Sequence, residues 1–254
     1  MGGIFAIGRR DFKAYFSSPR APAIFWFFLL FMGFFFNNFV HMFMQMTTQA
    51  PMMGGQAPTL EQLLKALFNN VHFIFLLIVP AVTMTSFSEE KHSKSFRLLQ
   101  TAPCTALEIV LGKFIASVGV MALVLAASFV YPLFTILNGN PDKVMILSSY
   151  IGLFLLMSSQ LAFGLWVSSM TSNQFLAFLF TMFGLFLLLI LNWMAPNLGG
   201  GGITETILKY MASSDHLDSF FKGTISVGHA TYFIVFTGMF LFFTNVTLDS
   251  QRWR

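Results

Sequence analysis

The polar positions in this chain are few, and they fall between long apolar runs. Six runs have the length and texture of helices that cross a bilayer: residues 22–44, 68–87, 114–137, 144–169, 175–194 and 229–248. A span needs about 20 apolar residues, because the hydrocarbon core is about 30 Å thick. Pro80 falls inside the second run, where neighbouring helices can satisfy the carbonyl it frees. Residues 1–20 have a helical period: Phe5, Gly8, Phe12, Tyr15 and Phe16 share one face, and Arg9, Arg10, Lys13 and Ser17 fall away from it. That pattern predicts an amphipathic helix on the inner membrane interface. Between the fifth and sixth runs, residues 195–228 open with Pro196 and a run of four glycines. Two short amphipathic pieces follow: Ile203, Ile207, Leu208 and Met211 share one face, as do Leu217, Phe220 and Phe221. They are expected to dip into the outer interface.

The polar stretch 88–113 separates the second run from the third. It carries Glu89, Glu90, Lys91, Lys94, Arg97, Glu108 and Lys113 in a chain that is only 9% charged. Phe96, Leu98 and Leu99 sit among these charges, so a short surface helix here offers apolar side chains that a plain loop has no need to expose. Pro103 ends that helix. Thr105 followed by Glu108 has the spacing of a capping box that starts the next one.

Composition agrees with a single membrane domain and leaves no room for a large soluble one. The chain is 56% hydrophobic, with 34 phenylalanines and a mean hydropathy of +0.73. The distribution of Lys and Arg orients it. The N-terminal segment, the stretch 88–113 and the C-terminus hold ten of the fourteen basic residues, and the alternate segments hold only Lys65, Lys143, Lys209 and Lys222. By the positive-inside rule the first set, with both termini, faces the cytoplasm.

Little in the chain resembles catalytic machinery. The glycine run lacks the Lys-Ser or Lys-Thr of a phosphate loop, and the histidines lack the i, i+4 spacing of a zinc hydrolase. The six runs contain no Asp, Glu, Lys or Arg of the kind that marks ion pathways. One cysteine, Cys104, excludes an intrachain disulfide. Met42, Met44, Met46, Met52 and Met53 gather with His41 at the outer end of the first run. Thioethers are soft ligands, so a second reading is a non-transporting membrane assembly or copper-maturation factor that uses this loop.

The stretch "SFSEEKHSKSFRLLQTAPCTALEIVLGKF" resembles the cytoplasmic segment of ABC-2 type transporter permeases: an acidic pair, a polar turn, a Leu-Leu-x-Thr-Pro-like core, then an acidic residue and Gly-Lys leading into the third span. "SYIGLFLLMSSQLAFGLWVSSMTSNQ", "FFKGTIS" and "TLDSQRW" are similar to the gliding-motility-associated, GldF-like branch. The resemblance runs from about Phe68 to the end. The family's usual Gly-Thr and acidic residue are replaced here by Lys94, Ser95 and Arg97, and Ala102 precedes Pro103.

The resemblance implies an all-α integral membrane fold of the ABC-2 exporter type. It has six transmembrane helices, an N-terminal interfacial helix, a cytoplasmic coupling helix within 88–113 and short re-entrant external helices within 195–228. It further implies a permease that acts as an exporter, with no catalytic site, cofactor or metal of its own. Its partners would be a separate ABC-type ATPase in two copies, a second permease copy and membrane lipids, with an auxiliary membrane or periplasmic subunit as a further option and no nucleic acid. The location would be a bacterial inner membrane. Glu89, Glu90, Lys91, Ser95, Phe96, Arg97, Leu98, Leu99 and Thr101 would form the ATPase-coupling set. The basic replacements imply an ATPase matched to this chain.

Overall fold

A computed structural model describes residues 2–49, 58–93, 105–198 and 202–252. These residues form eleven helices and no strand: α1 (Gly2–Ser17), α2 (Arg20–Gln49), α3 (Leu60–Thr83), α4 (Ser88–His92), α5 (Ala106–Ala127), α6 (Val130–Asn138), α7 (Lys143–Met170), α8 (Gln174–Leu198), α9 (Ile203–Met211), α10 (Ser213–Phe221) and α11 (Val227–Arg252). Six segments are long and apolar enough to cross a membrane: Ala21–Gln49, Leu60–His92, Ala106–Asn138, Lys143–Met170, Gln174–Leu191 and Val227–Gln251. The chain is an all-helical, multi-pass membrane protein.

Spans two, three and four form the centre. Their most apolar stretches are 72%, 56% and 61% buried, against 11%, 17% and 17% for spans one, five and six. The outer three therefore present their apolar surface to lipid or to another chain. Phe28 of α2 stacks on Phe75 of α3 at 6.2 Å, and Phe68 of α3 stacks on Phe221 of α10 at 5.8 Å. Lipid is as apolar as leucine, so helices here associate through close packing rather than by escaping water. Glycines allow the closest approaches: a Cβ at Gly164 of α7 would overlap Thr83 of α3, and one at Gly184 of α8 would lie 2.5 Å from the Phe163 ring.

The helix that begins span three starts at Ala106, eight residues before the apolar run. Its start is the capping box expected from sequence: Glu108 N donates to Thr105 Oγ1 (3.2 Å), and Thr105 N donates to the Glu108 carboxylate (3.1 Å). A segment from Ala106 to Asn138 is about 50 Å long at 1.5 Å per residue. It exceeds the hydrocarbon core, so its first turns can stand beyond it as a support for other elements.

At the other end of span four, the one expected from the distribution of basic residues to lie outside, α9 and α10 make a hairpin that turns at the buried Ala212. The Phe220 carbonyl accepts from the Ser148 hydroxyl, whereas Ser213 shares a small cavity with Gln160. Gln160 lies about 18 Å further along α7 than Ser148, so the hairpin reaches inward along span four. His216 Nε2 donates to the Tyr210 carbonyl (2.9 Å), which leaves its Nδ1 to accept from His229 Nδ1–H (2.7 Å). Tyr232 stacks on His216 at 4.0 Å and donates to the Met211 carbonyl (2.8 Å). At the outer end, Asp218 pairs with Lys65 (2.5 Å) and Lys222 (2.6 Å). Burial alone pushes the Asp218 carboxyl up, but hydrogen bonds from Lys222 and Lys65 outweigh it and hold its pKa below the usual carboxylate range.

The Gly164–Thr83 contact is testable. Gly164→Val is expected to lower stability in detergent by about 1–3 kcal/mol through overpacking, and Thr83→Ala should recover part of the loss. An unchanged unfolding midpoint for Gly164→Val would contradict this packing.

Candidate functional site

The polar stretch after span two is built onto the ends of other helices. A five-residue helix is far too short to be stable alone, and α4 draws its support from span four. Phe87 N and Ser88 N both donate to Ser168 Oγ, at 3.2 and 3.3 Å, which satisfies donors that the helix start leaves open. Ser88 Oγ donates to the Ser168 carbonyl at 3.1 Å. One residue on, the Ser169 carbonyl accepts from Lys91 Nζ and from Gln251 Nε2 (3.2 Å) of α11. The ends of spans two, four and six on this side thus meet at two consecutive serines.

Beside this joint lies a charge cluster. Lys113 of α5 is 4% exposed, and its ammonium stands 2.8 Å from Glu90 Oε1 of α4 and 3.0 Å from Asp11 Oδ2 of α1. Its Nζ is also 5.2 Å from the centre of the Phe87 ring. Arg10 pairs with Asp11 at 2.8 Å and reaches Glu90 at 3.4 Å. Burial disfavours charge on Arg10, but its hydrogen bond to Asp11 and the charges of Asp11 and Glu90 outweigh that and raise its pKa. Two cations and two anions balance, which permits a lysine to be buried here.

Helix α1 is placed by packing as well as by charge. A Cβ at Gly112 would fall 2.9 Å from the Ile7 side chain, and one at Gly8 would fall 3.2 Å from the Gly112 carbonyl. Phe12 lies over Gly119 in the same way, so α1 runs alongside the first turns of α5. Tyr15 then donates to the Val82 carbonyl of α3 at 2.9 Å. The packed stripe of α1 passes through Ile7 and Gly8, and Phe5, assigned by its period to the apolar face, is 75% exposed. Close backbone contact at Gly112 sets the rotation of the helix, and hydropathy alone cannot register that.

A cavity of about 340 Å³ lies where these elements meet, bounded by Asp11, Tyr15, Ser86, Glu89, Glu90 and Lys113 among others. Ser93 at the end of α4 and Thr105 at the start of α5 flank residues 94–104 in the chain. Of the expected coupling residues, the structure brings Glu89, Glu90 and Lys91 together on α4. Ser95, Phe96, Arg97, Leu98, Leu99 and Thr101 lie outside the described residues, as does Pro103. The residues that sequence reasoning missed are Asp11, Ser168 and Ser169. Asp11 carried a signal, as the one acid in a basic helix.

The methionine cluster does not converge in the described part. Met42 and Met46 lie one turn apart on α2, Met44 points away from them, and all three are exposed at 50%, 44% and 59%. Met52 and Met53 lie outside the described residues. His216 and His229 are brought together, but among the described residues no group of three His, Cys, Asp or Glu side chains could hold a metal ion.

The family model described as ABC-2 family transporter protein matches residues 5–218. The chain therefore belongs to the ABC-2 transporter family, whose members are membrane components of ABC transporters. No curated protein matches the chain.

Removing the buried cation should leave two acids without their partner. Lys113→Met is expected to cost about 3 kcal/mol or more, and Glu90→Gln should be strongly non-additive with it in a double-mutant cycle. Unfolding in detergent measures both. Additive effects of a few tenths of a kcal/mol would show that the pair contributes nothing.

Proposed function

We propose that this ABC-2 family member is the permease subunit of an exporter and is driven by an ATPase carried on a separate chain. The ATPase docks on the segment 88–104, and ATP-driven closure of an ATPase pair pushes that segment. The observation that carries this reading is the anchoring of the start of the segment. Phe87, Ser88 and Lys91 are held by Ser168 and Ser169 of span four, and Glu90 of the same helix meets Lys113 of span three. A load applied to a segment anchored in this way reaches spans two, three, four and six together, where a free loop would absorb it.

Within the coupling set, Glu90 and Lys91 hold the base of the segment to the membrane helices. Phe96, Leu98 and Leu99 fill an apolar hollow on the ATPase, Arg97 adds a charged contact, and Glu89, Ser95 and Thr101 complete the polar edge. A second permease copy covers part of the apolar surface left by spans one, five and six, and lipid covers the rest. Both termini face the cytoplasm of a bacterial cell, in keeping with the distribution of basic residues. The basic Lys94 and Arg97 select the cognate ATPase.

Two experiments test this. Leu99→Asp should abolish co-purification with a co-expressed ABC-type ATPase that binds the wild type, and leave membrane insertion intact. Retained binding and retained transport would overturn the docking role. Cys104, the single thiol, should react with a membrane-impermeant maleimide in inside-out vesicles and not in intact cells. Labelling only from the outside would reverse the orientation.

A further inference from the structure

Two cavities lie back to back beside the outer hairpin. The wider one, about 280 Å³, is a groove walled by Tyr210 and Met211 of the hairpin and by Val235 and Met239 of α11. The smaller one, about 10 Å³, is bounded by Leu156, Ser159 and Gln160 of α7 and by Ser213. Leu188, Tyr232 and Phe236 line both, so a molecule seated in the groove is one side chain away from Gln160. No Asp, Glu, Lys or Arg lines either cavity among the described residues.

Gln160 is 4% exposed, and its Oε1 has no hydrogen-bond partner. The neighbouring Ser159 hydroxyl is already spent on the Leu156 carbonyl at 2.7 Å. A buried amide oxygen without a donor is costly, and the small cavity has room for about one water. The groove in front of it is apolar and open: Val235, Tyr210 and Met239 are 61%, 62% and 41% exposed. An occupant would enter from the bilayer.

We propose that the paired cavities form a binding site for an uncharged, hydroxyl-bearing lipid. Its hydrocarbon chain lies in the groove between α11 and the hairpin, and its hydroxyl takes the place of a water at Gln160. The orphaned acceptor demands a donor. A hydroxyl both donates and accepts, so it satisfies either end of the amide. The lack of a counter-charge selects against an ionised head, whose desolvation nothing in the site would offset. The site stands apart from the cytoplasmic machinery, and its binding does not depend on the proposed coupling to an ATPase.

The test uses the full chain in nanodiscs and a photoactivatable sixteen-carbon alcohol. Saturable labelling is expected on peptides of α11, with hexadecanol competing about tenfold better than hexadecane and palmitate. Gln160→Met, which keeps the volume and removes the amide, should erase the preference for the alcohol and leave hexadecane competition unchanged. Val235→Trp, at an exposed position, should block labelling altogether. The wild-type competition stands as a test even where a variant fails to fold. Non-saturable labelling, or equal competition by alcohol and hydrocarbon, would overturn the proposal and leave Gln160 to a water. So would ready disulfide formation between copies of Val235→Cys, which would assign this face to a contact between two chains.

Discussion

A lysine buried near the start of span three governs the arrangement of everything around it. An ammonium group taken out of water is tolerable only with partners at hydrogen-bond distance. Lys113 finds them on two other helices, Glu90 of α4 and Asp11 of α1. Neither partner is near it on its own helix, so the requirement is met only when three elements are brought together. Once α4 is held there, Ser88 and Lys91 are in place to bond span four, and Gln251 of span six joins at the same carbonyl. The charge cluster and the serine joint form one polar layer at this end of the bundle.

Between this layer and the outer hairpin, the structure has a different physics. Spans two and four meet at a small residue, Gly164 against Thr83, because in lipid the gain comes from close contact. The outer hairpin is again held by polar ties, from Ser148 to the Phe220 carbonyl and through the His216–His229 pair. Two polar ends joined by tightly packed helices give a body in which a displacement at one end has few soft elements to dissipate it. Such an arrangement suits the proposed role, in which work delivered at one end has to alter the membrane path.

Much of the fold was legible from hydropathy, because the membrane imposes a length on each span that sequence shows directly. The six runs, the capping box at Thr105 and Glu108, and the two short outer helices were all visible as local patterns. The extension of the third helix back to Ala106 was harder to see: its first turns face protein and water rather than lipid, so only the cap betrays them. The partners of Lys113 were not legible. Asp11 lies about a hundred residues away, and pairing over that distance leaves no period in a single sequence. Ser168 and Ser169 read as ordinary small residues at a helix end. The depth of the outer hairpin also escaped notice, since nothing in residues 203–221 says that Ser213 faces Gln160.

The claim that Lys113 holds α1 against α5 is tested most directly by hydrogen exchange on the full chain in nanodiscs, comparing wild type with Lys113→Met. The account predicts that amides of residues 2–17 lose protection in the variant while those of α7 keep theirs. If α1 stays as protected as in the wild type, glycine packing alone holds it, and the buried cation is not the constraint on which this polar layer depends.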